Sequence, residues 1–250
     1  MKLQGKVAIV TGGARDIGRA VSLQLAREGA KVVINYFGSE AEANETKKMI
    51  DEAGGTCLLV QGDMTKWESV QSLVEQTRAA FGNEIHILAN VVGGLFGRKT
   101  LEEQDEAWYD LLMNVNMKSI FFSTKAVVAH MPAGASIINF SSQAARDGGG
   151  GGASLYATAK GAVMTYTRAM AKELGPRGIR VNAVAPGMIA TSFHDRFTKP
   201  EIRSNVAAGT PLRRQGDASD VADLVVYLAS SESAFLTGTN VDINGGTYFS

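Results

Sequence analysis

Tyr156 and Lys160, four residues apart, have the residue types and the spacing for proton transfer. On a helix this offset places both side chains on one face, about one turn apart. A phenol has a pKa of ~10, and a neighbouring ammonium lowers that pKa because it stabilises the phenolate. Ser142, earlier in the chain, adds a hydroxyl that can hold a carbonyl oxygen. Such pairs also arise by chance, so the interpretation depends on the elements around them.

The composition is typical of one large globular domain. The 250 residues carry 25 basic and 25 acidic side chains, a balance that argues against binding to nucleic acid. A single cysteine, Cys57, excludes an internal disulfide and fits a reducing cytosol. We expect no signal peptide, no membrane span and a cytoplasmic location. No cysteine or histidine cluster has metal-ligand spacing, so no metal is expected.

Short apolar runs alternate with longer helical patterns along the chain. Near-continuous apolar strands are typical of parallel sheets buried on both faces, and this alternation produces right-handed βαβ units. Residues 1–250 are therefore predicted to form a single three-layer, doubly wound α/β domain. The predicted strands are Val7–Val10, Val32–Ile34, Cys57–Val60, Ile85–Ala89, Ser136–Phe140, Ile179–Val184 and Asn240–Ile243, and the main helices are Ile17–Glu28, Glu40–Ala53, Ser69–Phe81, Glu106–His130 and Ser154–Leu174.

A glycine-rich turn joins the first predicted strand to the first helix. Small residues let backbone amides approach a pyrophosphate, and the start of the following helix favours negative charge. In this position the turn favours dinucleotide binding over a simple tight connection. Its candidate cofactor-binding residues are Gly12, Arg15, Asp16, Ile17 and Gly18.

Taken in order, the motifs resemble the short-chain dehydrogenase/reductase superfamily over nearly the whole chain. The turn follows that family's Thr-Gly-x-x-x-Gly-x-Gly pattern except at the middle glycine, which is Asp16 here. A carboxylate beside a pyrophosphate is repulsive, so we expect Asp16 to turn towards a ribose hydroxyl or to cap the helix. The resemblance implies a Rossmann fold with a parallel seven-stranded sheet. The other matching segments are Asn90–Gly93, Asn114–Asn116, Ile138–Ser142, Asn182–Gly187 and Asp242–Gly246.

The resemblance implies hydride transfer between a nicotinamide and a carbonyl or alcohol, with four catalytic residues. Tyr156 would protonate the nascent alkoxide while Ser142 hydrogen-bonds the carbonyl oxygen. Lys160 would hold the nicotinamide ribose and lower the pKa of Tyr156, and Asn116 would anchor a water leading to solvent. The alternative is that Ser142 caps a strand end and Asn116 marks a helix kink. Further cofactor contacts are expected at Asp63 (or a turn or cap residue), Met64, Asn90, Gly93, Tyr156, Lys160, Pro186, Gly187 and Thr191.

Coenzyme choice depends on the end of the second predicted strand. NAD-dependent relatives place an aspartate there, whereas this chain has Tyr36. Without that carboxylate nothing repels a 2′-phosphate, and Arg15 is placed to pair with it. We therefore expect NADP(H), with NAD(H) possible because Phe37 is apolar and Asp16 adds negative charge.

Three segments near the expected pocket resemble bacterial reductases of 4-deoxy-L-erythro-5-hexoseulose uronate, which form 2-keto-3-deoxy-gluconate during alginate metabolism. They are Gly93–Lys99, Gly148–Gly152 and Thr191–His194. Arg98 would pair with the carboxylate of the uronate. The other expected substrate contacts are Ser142, Gln143, Phe193 and His194.

Three other functions stay open. They are a 3-oxoacyl-[acyl-carrier-protein] reductase, a sugar (glucose-type) 1-dehydrogenase, and a catalytically silent NAD(P)-sensing regulator. Residues 130–136 contain no lysine or arginine before the fifth predicted strand, which argues against docking of an acidic carrier protein. The resemblance also implies a homotetramer, paired through the apolar faces of Ser219–Ala229 and Asn240–Ile243.

Overall fold

A parallel β-sheet forms the centre of the computed structural model, which describes residues 1–192 and 200–249. Within that part of the chain the sheet has seven strands in the order β3-β2-β1-β4-β5-β6-β7. β2 and β3 lie on one side of β1, and β4 lies on its other side. The direction in which strands are added therefore reverses between β1 and β4, which creates a topological switch point. The strands are β1 (Val7–Thr11), β2 (Lys31–Tyr36), β3 (Thr56–Gln61), β4 (Ile87–Asn90), β5 (Ser136–Phe140), β6 (Arg180–Pro186) and β7 (Asn240–Ile243).

Helices cover both faces of the sheet and complete three layers. Buried side chains of α1, α2 and α9 pack on one face, and those of α3, α5 and α7 pack on the other. The predicted doubly wound Rossmann fold is thereby confirmed. The helices are α1 (Asp16–Arg27), α2 (Glu40–Glu52), α3 (Trp67–Phe81), α4 (Glu106–Met113), α5 (Ser119–Val127), α6 (Ala144–Asp147), α7 (Ser154–Leu174), α8 (Pro200–Gly209) and α9 (Ala218–Ala229).

The apolar run of β1 shows why the strands have few polar residues. Successive side chains of a strand point to opposite faces, and here both faces are covered. Ala8 and Val10 enter the cluster beneath α1 and α9, whereas Ile9 enters the cluster beneath α3. All three are fully buried. Burial of the branched side chains of Ile9 and Val10 contributes roughly 1.5–3 kcal/mol each to folding. This burial fixes the strand that carries the glycine turn.

The long helix predicted over Glu106–His130 is interrupted. Between α4 and α5, Asn114–Lys118 forms a π-helical segment. Within it the Asn116 amide donates to the Leu112 carbonyl, one turn earlier, and to the Gly94 carbonyl outside the helix. A side chain inserted into the helical hydrogen bonds in this way distorts the helix. The predicted range is helical throughout, but its π-helical segment was not predicted because the partner of Asn116 lies in a distant loop.

The apolar face of α9 is used within the chain. Val221, Val225 and Leu228 are fully buried in the cluster that includes α1. Subunit pairing through this face was expected from the sequence, but most of it is already covered. Tyr227 and Phe235 are the large side chains that stay exposed nearby. Among the described residues no helix is both long and apolar enough to cross a membrane.

Candidate active site

The candidate site lies where the carboxyl ends of the strands meet one edge of the sheet. The glycine turn follows β1, Gly93 follows β4, Ser142 follows β5 and Gly187 follows β6. In a parallel sheet all these ends point the same way, so residues far apart in sequence gather around one crevice. Most of the candidates named above are therefore neighbours in space.

Tyr156, Ser142 and Lys160 form the chemical centre of this crevice. Helix α7 carries Tyr156 and Lys160 on successive turns, and the Tyr156 hydroxyl is hydrogen-bonded to Ser142. The Lys160 ammonium is buried, donates to the Phe140 carbonyl at 2.8 Å, and lies 5.8 Å from the centre of the Tyr156 ring. The arrangement places a phenol, a hydroxyl and a cation within reach of one small group.

Burial determines how these groups hold protons. It raises the pKa of Tyr156, and the hydrogen bond from Ser142 opposes that shift. It also lowers the pKa of Lys160 to about 8, because a buried ammonium is poorly solvated. The lowering of the Tyr156 pKa expected from the sequence is not found in this structure. The Lys160 N–H bond is directed at the Phe140 carbonyl, and desolvation of the phenolate is the larger effect.

Asn116 positions the loop that follows β4. Its fully buried amide donates to the Gly94 carbonyl at 2.9 Å, and its Oδ1 accepts from the Gly94 N–H at 3.0 Å. The neighbouring Gly93 has no room for a side chain, because a Cβ there would lie 2.7 Å from Lys160 Nζ and 2.9 Å from Asn116 Oδ1. Asn116 is thus both a helix-distorting residue and a member of the group around Lys160. Its role as a water anchor stays a prediction.

The turn after β1 packs closely against the start of α1, and its Gly12 and Gly13 N–H groups donate to Asn35. Gly12 has a φ of 66°, which favours glycine, and a Cβ at Gly18 would lie 2.0 Å from the Gly12 carbonyl oxygen. Helix α1 therefore starts directly against the turn, with Ile17 in its first turn. Backbone N–H groups at a helix start can bind a pyrophosphate, so these residues fit a dinucleotide.

Asp16 does not cap α1, and its side chain has a partner that is distant in the sequence. Its carboxylate accepts hydrogen bonds from the Ser192 N–H at 2.9 Å and the Ser192 hydroxyl at 2.6 Å. Neither the ribose contact nor the helix cap is therefore shown, because Ser192, distant in sequence, holds the carboxylate. Arg15 joins the group, donating to Ser192 Oγ at 2.9 Å and lying 3.4 Å from Asp16 Oδ2.

Several cofactor candidates expected on the adenine side have contacts within the protein. Asp63 Oδ1 accepts from the N–H and the hydroxyl of Thr65, so it serves as a turn residue. The Met64 side chain is buried in the core, and its contact with a cofactor stays a prediction. Asn90 is buried too, and its amide donates to Asn139 Oδ1 at 2.9 Å in the neighbouring strand. Its side chain supports the sheet. Tyr36 ends β2 as expected and is partly buried.

On the nicotinamide side the candidates lie together. The Gln143 N–H donates to the Pro186 carbonyl at 2.9 Å, which joins the segments after β5 and β6. A Cβ at Gly187 would lie 2.9 Å from Gln143 Oε1, so the two segments pack closely. Thr191 is partly exposed beyond them. The remaining substrate candidates, Phe193 and His194, fall outside the described residues.

Arg98 connects two loops at the mouth of the crevice. Its guanidinium donates to the Gly151 carbonyl at 2.8 Å, and the Lys99 N–H donates to the Gly152 carbonyl at 3.2 Å. Lys99 Nζ lies 4.7 Å from the centre of the Trp108 ring, an attractive cation–π distance. The glycine loop is thus held against the loop after β4. Arg98 is exposed at this edge, and its carboxylate-binding role stays a prediction.

Phe96 lies in the predicted segment Gly93–Lys99 but was not predicted individually as a site residue. It has a φ of 59°, which a phenylalanine rarely adopts, and its side chain is 45% exposed. A Cβ at Gly94 would lie 3.2 Å from its ring, so the ring covers the segment fixed by Asn116. The pair of glycines shortly before Phe96 is the only sequence feature that could have indicated this conformation. Among residues 1–192 and 200–249, no group of three or more His, Cys, Asp or Glu side chains could hold a metal ion.

Comparison with known proteins agrees with this geometry. The family described as enoyl-(acyl carrier protein) reductase matches residues 12–248. The chain is 38% identical over 248 residues to an uncharacterized oxidoreductase, YhxC, of Bacillus subtilis, covering 98% of this chain and 86% of that protein. It is 36% identical over 250 residues to the 3-oxoacyl-[acyl-carrier-protein] reductase FabG of Escherichia coli, covering 99% of each.

Solved structures give the same result. A short-chain dehydrogenase/reductase from Serratia marcescens has a TM-score of 0.93 and 34% identity, covering 99% of both chains. A short chain dehydrogenase from Burkholderia cenocepacia, solved in complex with NADP, has a TM-score of 0.92 and 33% identity over 99% of both chains. The chain therefore belongs to the short-chain dehydrogenase/reductase superfamily and is an NAD(P)-dependent oxidoreductase acting on alcohol or carbonyl groups.

Proposed function

We propose that the protein uses NADPH to reduce the aldehyde or ketone group of a small polar substrate. The observation that carries the proposal is the hydrogen bond between Tyr156 and Ser142 beside the buried Lys160 ammonium. These groups can hold a carbonyl oxygen, protonate it and stabilise the anion that remains. A catalytically silent, NAD(P)-sensing regulator would not need this intact set.

The bound coenzyme supplies the hydride, and the side chains manage the proton. Ser142 donates a hydrogen bond to the carbonyl oxygen, and Tyr156 protonates that oxygen as negative charge develops. A raised pKa suits this role, because Tyr156 is then fully protonated before the reaction. Lys160, with a pKa of about 8, is mostly charged at neutral pH and stabilises the phenolate. Asn116 keeps the loop beside Lys160 in place.

NADP(H) is the coenzyme that the site fits best. The Burkholderia cenocepacia relative was solved with NADP, and a blue fluorescent protein of 33% identity was solved with NADPH. In this chain Tyr36 leaves no carboxylate at the end of β2, and Arg15 is 55% exposed beside the turn. A guanidinium in that position can pair with a 2′-phosphate.

Replacing Arg15 by alanine tests the coenzyme assignment. A charge-assisted hydrogen bond is worth ~1.5–3 kcal/mol, so the Kd for NADPH should rise roughly 10–100-fold while that for NADH changes little. Fluorescence titration of both coenzymes measures the difference. Arg27→Ala, at the exposed far end of α1, is the matched control. Equal losses for NADPH and NADH would contradict the role of Arg15.

For the substrate we propose 4-deoxy-L-erythro-5-hexoseulose uronate, reduced to 2-keto-3-deoxy-gluconate in alginate metabolism. Its carboxylate needs a cationic partner, because a desolvated anion without one is unfavourable. Arg98 supports the proposal, since its guanidinium is exposed where the loop after β4 meets the glycine loop. The bond to Gly151 uses one nitrogen of a planar group that has five N–H donors.

The second candidate is 3-oxoacyl-[acyl-carrier-protein] reduction, favoured by 36% identity to FabG of Escherichia coli over nearly the full length of both chains. The absence of lysine and arginine at residues 130–136 argues against it. Oxidation of a sugar at its first carbon is a third candidate. Loss of NADPH absorbance with the uronate, a neutral aldehyde and an acetoacetyl carrier protein, and NADPH formation from glucose, would distinguish them. Turnover of none of the four would contradict the proposed function.

A homotetramer in the cytoplasm is part of the proposal. Exposed Tyr227 and Phe235 support subunit contacts near α9, although the main apolar face of that helix is buried within the chain. Light scattering at micromolar concentration tests the assembly, and a monomer would contradict it.

A further inference from the structure

The Asp16 carboxylate makes a bridge across the crevice. It accepts two hydrogen bonds from Ser192, at 2.9 Å from the N–H and 2.6 Å from the hydroxyl. Arg15 adds a third bond, from its guanidinium to Ser192 Oγ at 2.9 Å. The two ends of the bridge are 176 residues apart in the sequence. The glycine turn after β1 is thus connected directly to the segment after β6.

The strand order determines what lies beneath this bridge. β1 and β6 are not neighbours in the sheet, because β4 and β5 lie between them. With neighbouring strands ~4.8 Å apart, their ends are separated by roughly 14 Å. Gly93 follows β4 and Ser142 follows β5, so both lie in the gap that the bridge spans. This is the crevice in which open α/β sheets bind dinucleotides.

The backbone of Asp16 is in an uncommon conformation. Asp16 has a φ of 52°, in the left-handed region, which is less favourable than the right-handed region for a residue with a Cβ, although aspartate adopts it more readily than most residues. Glycine would adopt this conformation without that penalty. Such a conformation persists only where the surroundings hold it, and the three hydrogen bonds around Ser192 do so.

The segment between β6 and Ser192 is held on its other side as well. The Ala190 N–H donates to the Gly216 carbonyl at 2.8 Å, and the Gly216 N–H donates to the Met188 carbonyl at 2.9 Å. The segment is therefore fixed to the body of the protein by backbone bonds near its start. Its connection to the opposite side of the crevice consists of the two Asp16 bonds and the Arg15 bond to Ser192.

We propose that Asp16 is a positioning residue for the coenzyme. Its carboxylate holds Ser192, and with it the segment after β6, across the crevice, so that a dinucleotide bound below leaves slowly. The proposal rests on the coenzyme binding proposed above and adds a residue that controls retention of the coenzyme. Because it acts through Ser192, it affects NADPH and NADH alike.

Stopped-flow fluorescence of coenzyme release tests the proposal. Asp16→Gly removes both hydrogen bonds between Asp16 and Ser192, leaves the bond from Arg15, and keeps the backbone conformation, so we expect release of both coenzymes to be about 10-fold faster. Ser192→Ala removes only the hydroxyl bonds and should give a smaller change in the same direction. The double variant should speed release by less than the product of the two single effects, because both substitutions remove the bond between Asp16 and the Ser192 hydroxyl.

Hydrogen–deuterium exchange without coenzyme supplies an independent readout. The Ser192 amide should exchange faster in Asp16→Gly than in the wild-type protein, because it loses its acceptor. Unchanged exchange and unchanged release rates would overturn the proposal. Tighter binding of NADPH alone would also overturn it, since Asp16 would then act by repelling the 2′-phosphate. Failure of the wild-type protein to bind either coenzyme would instead contradict the proposed function.

Discussion

The catalytic group and the mouth of the crevice are built differently. Tyr156 and Lys160 lie on the longest helix, and Asn116 and Lys160 are almost completely buried. At the mouth, the loop after β4 meets the glycine loop through exposed Arg98 and backbone carbonyls. Tight packing fixes the acid and its cation, whereas a few hydrogen bonds fix the walls around the substrate. The reaction class is therefore easier to infer than the substrate.

The largest expected effect comes from Tyr156→Phe. The substitution deletes the proton donor and little volume, so turnover should fall by ~10²–10⁴-fold while coenzyme still binds. NADPH absorbance gives the rate, and coenzyme fluorescence gives the affinity. Tyr166→Phe is the matched control, because Tyr166 lies on the same helix and is hydrogen-bonded to Thr124, away from Ser142. If Tyr156→Phe kept more than about a tenth of the activity, Tyr156 would not be the acid.

Arg98→Ala tests whether the mouth recognises a carboxylate. We expect KM for a uronate to rise by ~10–100-fold, the worth of one charged hydrogen bond, with little change for a neutral aldehyde. Equal effects on both substrates would mean that Arg98 acts through its bond to Gly151 and supports the loop only. No effect on either would remove the main physical support for the uronate.

Gly152→Ala tests the contact between the two loops. Gly152 has a φ of 74°, and a Cβ there would lie 2.9 Å from both the Lys99 nitrogen and Arg98 Cβ. The loops must therefore separate, and we expect KM to rise several-fold with kcat almost unchanged. Gly151→Ala is the control, since a Cβ at Gly151 would meet nothing within 4 Å. Similar kinetics for the two variants would show that the contact does not shape the pocket.

The smallest expected effect is a dependence of stability on pH. Lys160 has a pKa of about 8 in the folded protein, below its ordinary value of 10.5. Between these values Lys160 binds more protons in the unfolded chain, so its contribution to the free energy of unfolding should fall by ~1 kcal/mol per unit as pH decreases through this range. The raised pKa of the Cys57 thiol, about 12, opposes this slope above pH ~9, so the comparison with the Lys160 variant isolates the Lys160 contribution. Chemical denaturation at several pH values measures this slope. Lys160→Met should remove it, whereas Lys172→Met, exposed on the same helix, should keep it.

The sequence predicts the framework well because the framework follows from local patterns. β5, α7 and β7 have the bounds expected from apolar periodicity and turn residues. The gathering of Ser142, Tyr156 and Lys160 follows from one helix and the end of one strand. In these cases neighbouring residues determine the structure, so no knowledge of distant partners is needed.

The features that the sequence did not predict depend on contacts between residues that are distant in the sequence. The π-helical segment arises because Asn116 bonds to Gly94, in the loop after β4. Asp16 was expected to reach a ribose or cap a helix because its partner, Ser192, could not be identified in the sequence. The burial of the Met64 side chain in the core was not predicted either. No local pattern specifies any of these pairings.

The packing of α1 against α9 has a consequence for folding. The apolar face of α1 is completed by Val221, Val225 and other side chains near the end of the chain. During synthesis this face stays open until nearly the whole chain has emerged, and the β6–β7 pairing comes equally late. Contacts between residues so distant in sequence slow folding. The glycine turn at the start of α1 therefore gains its full support only at the end of synthesis.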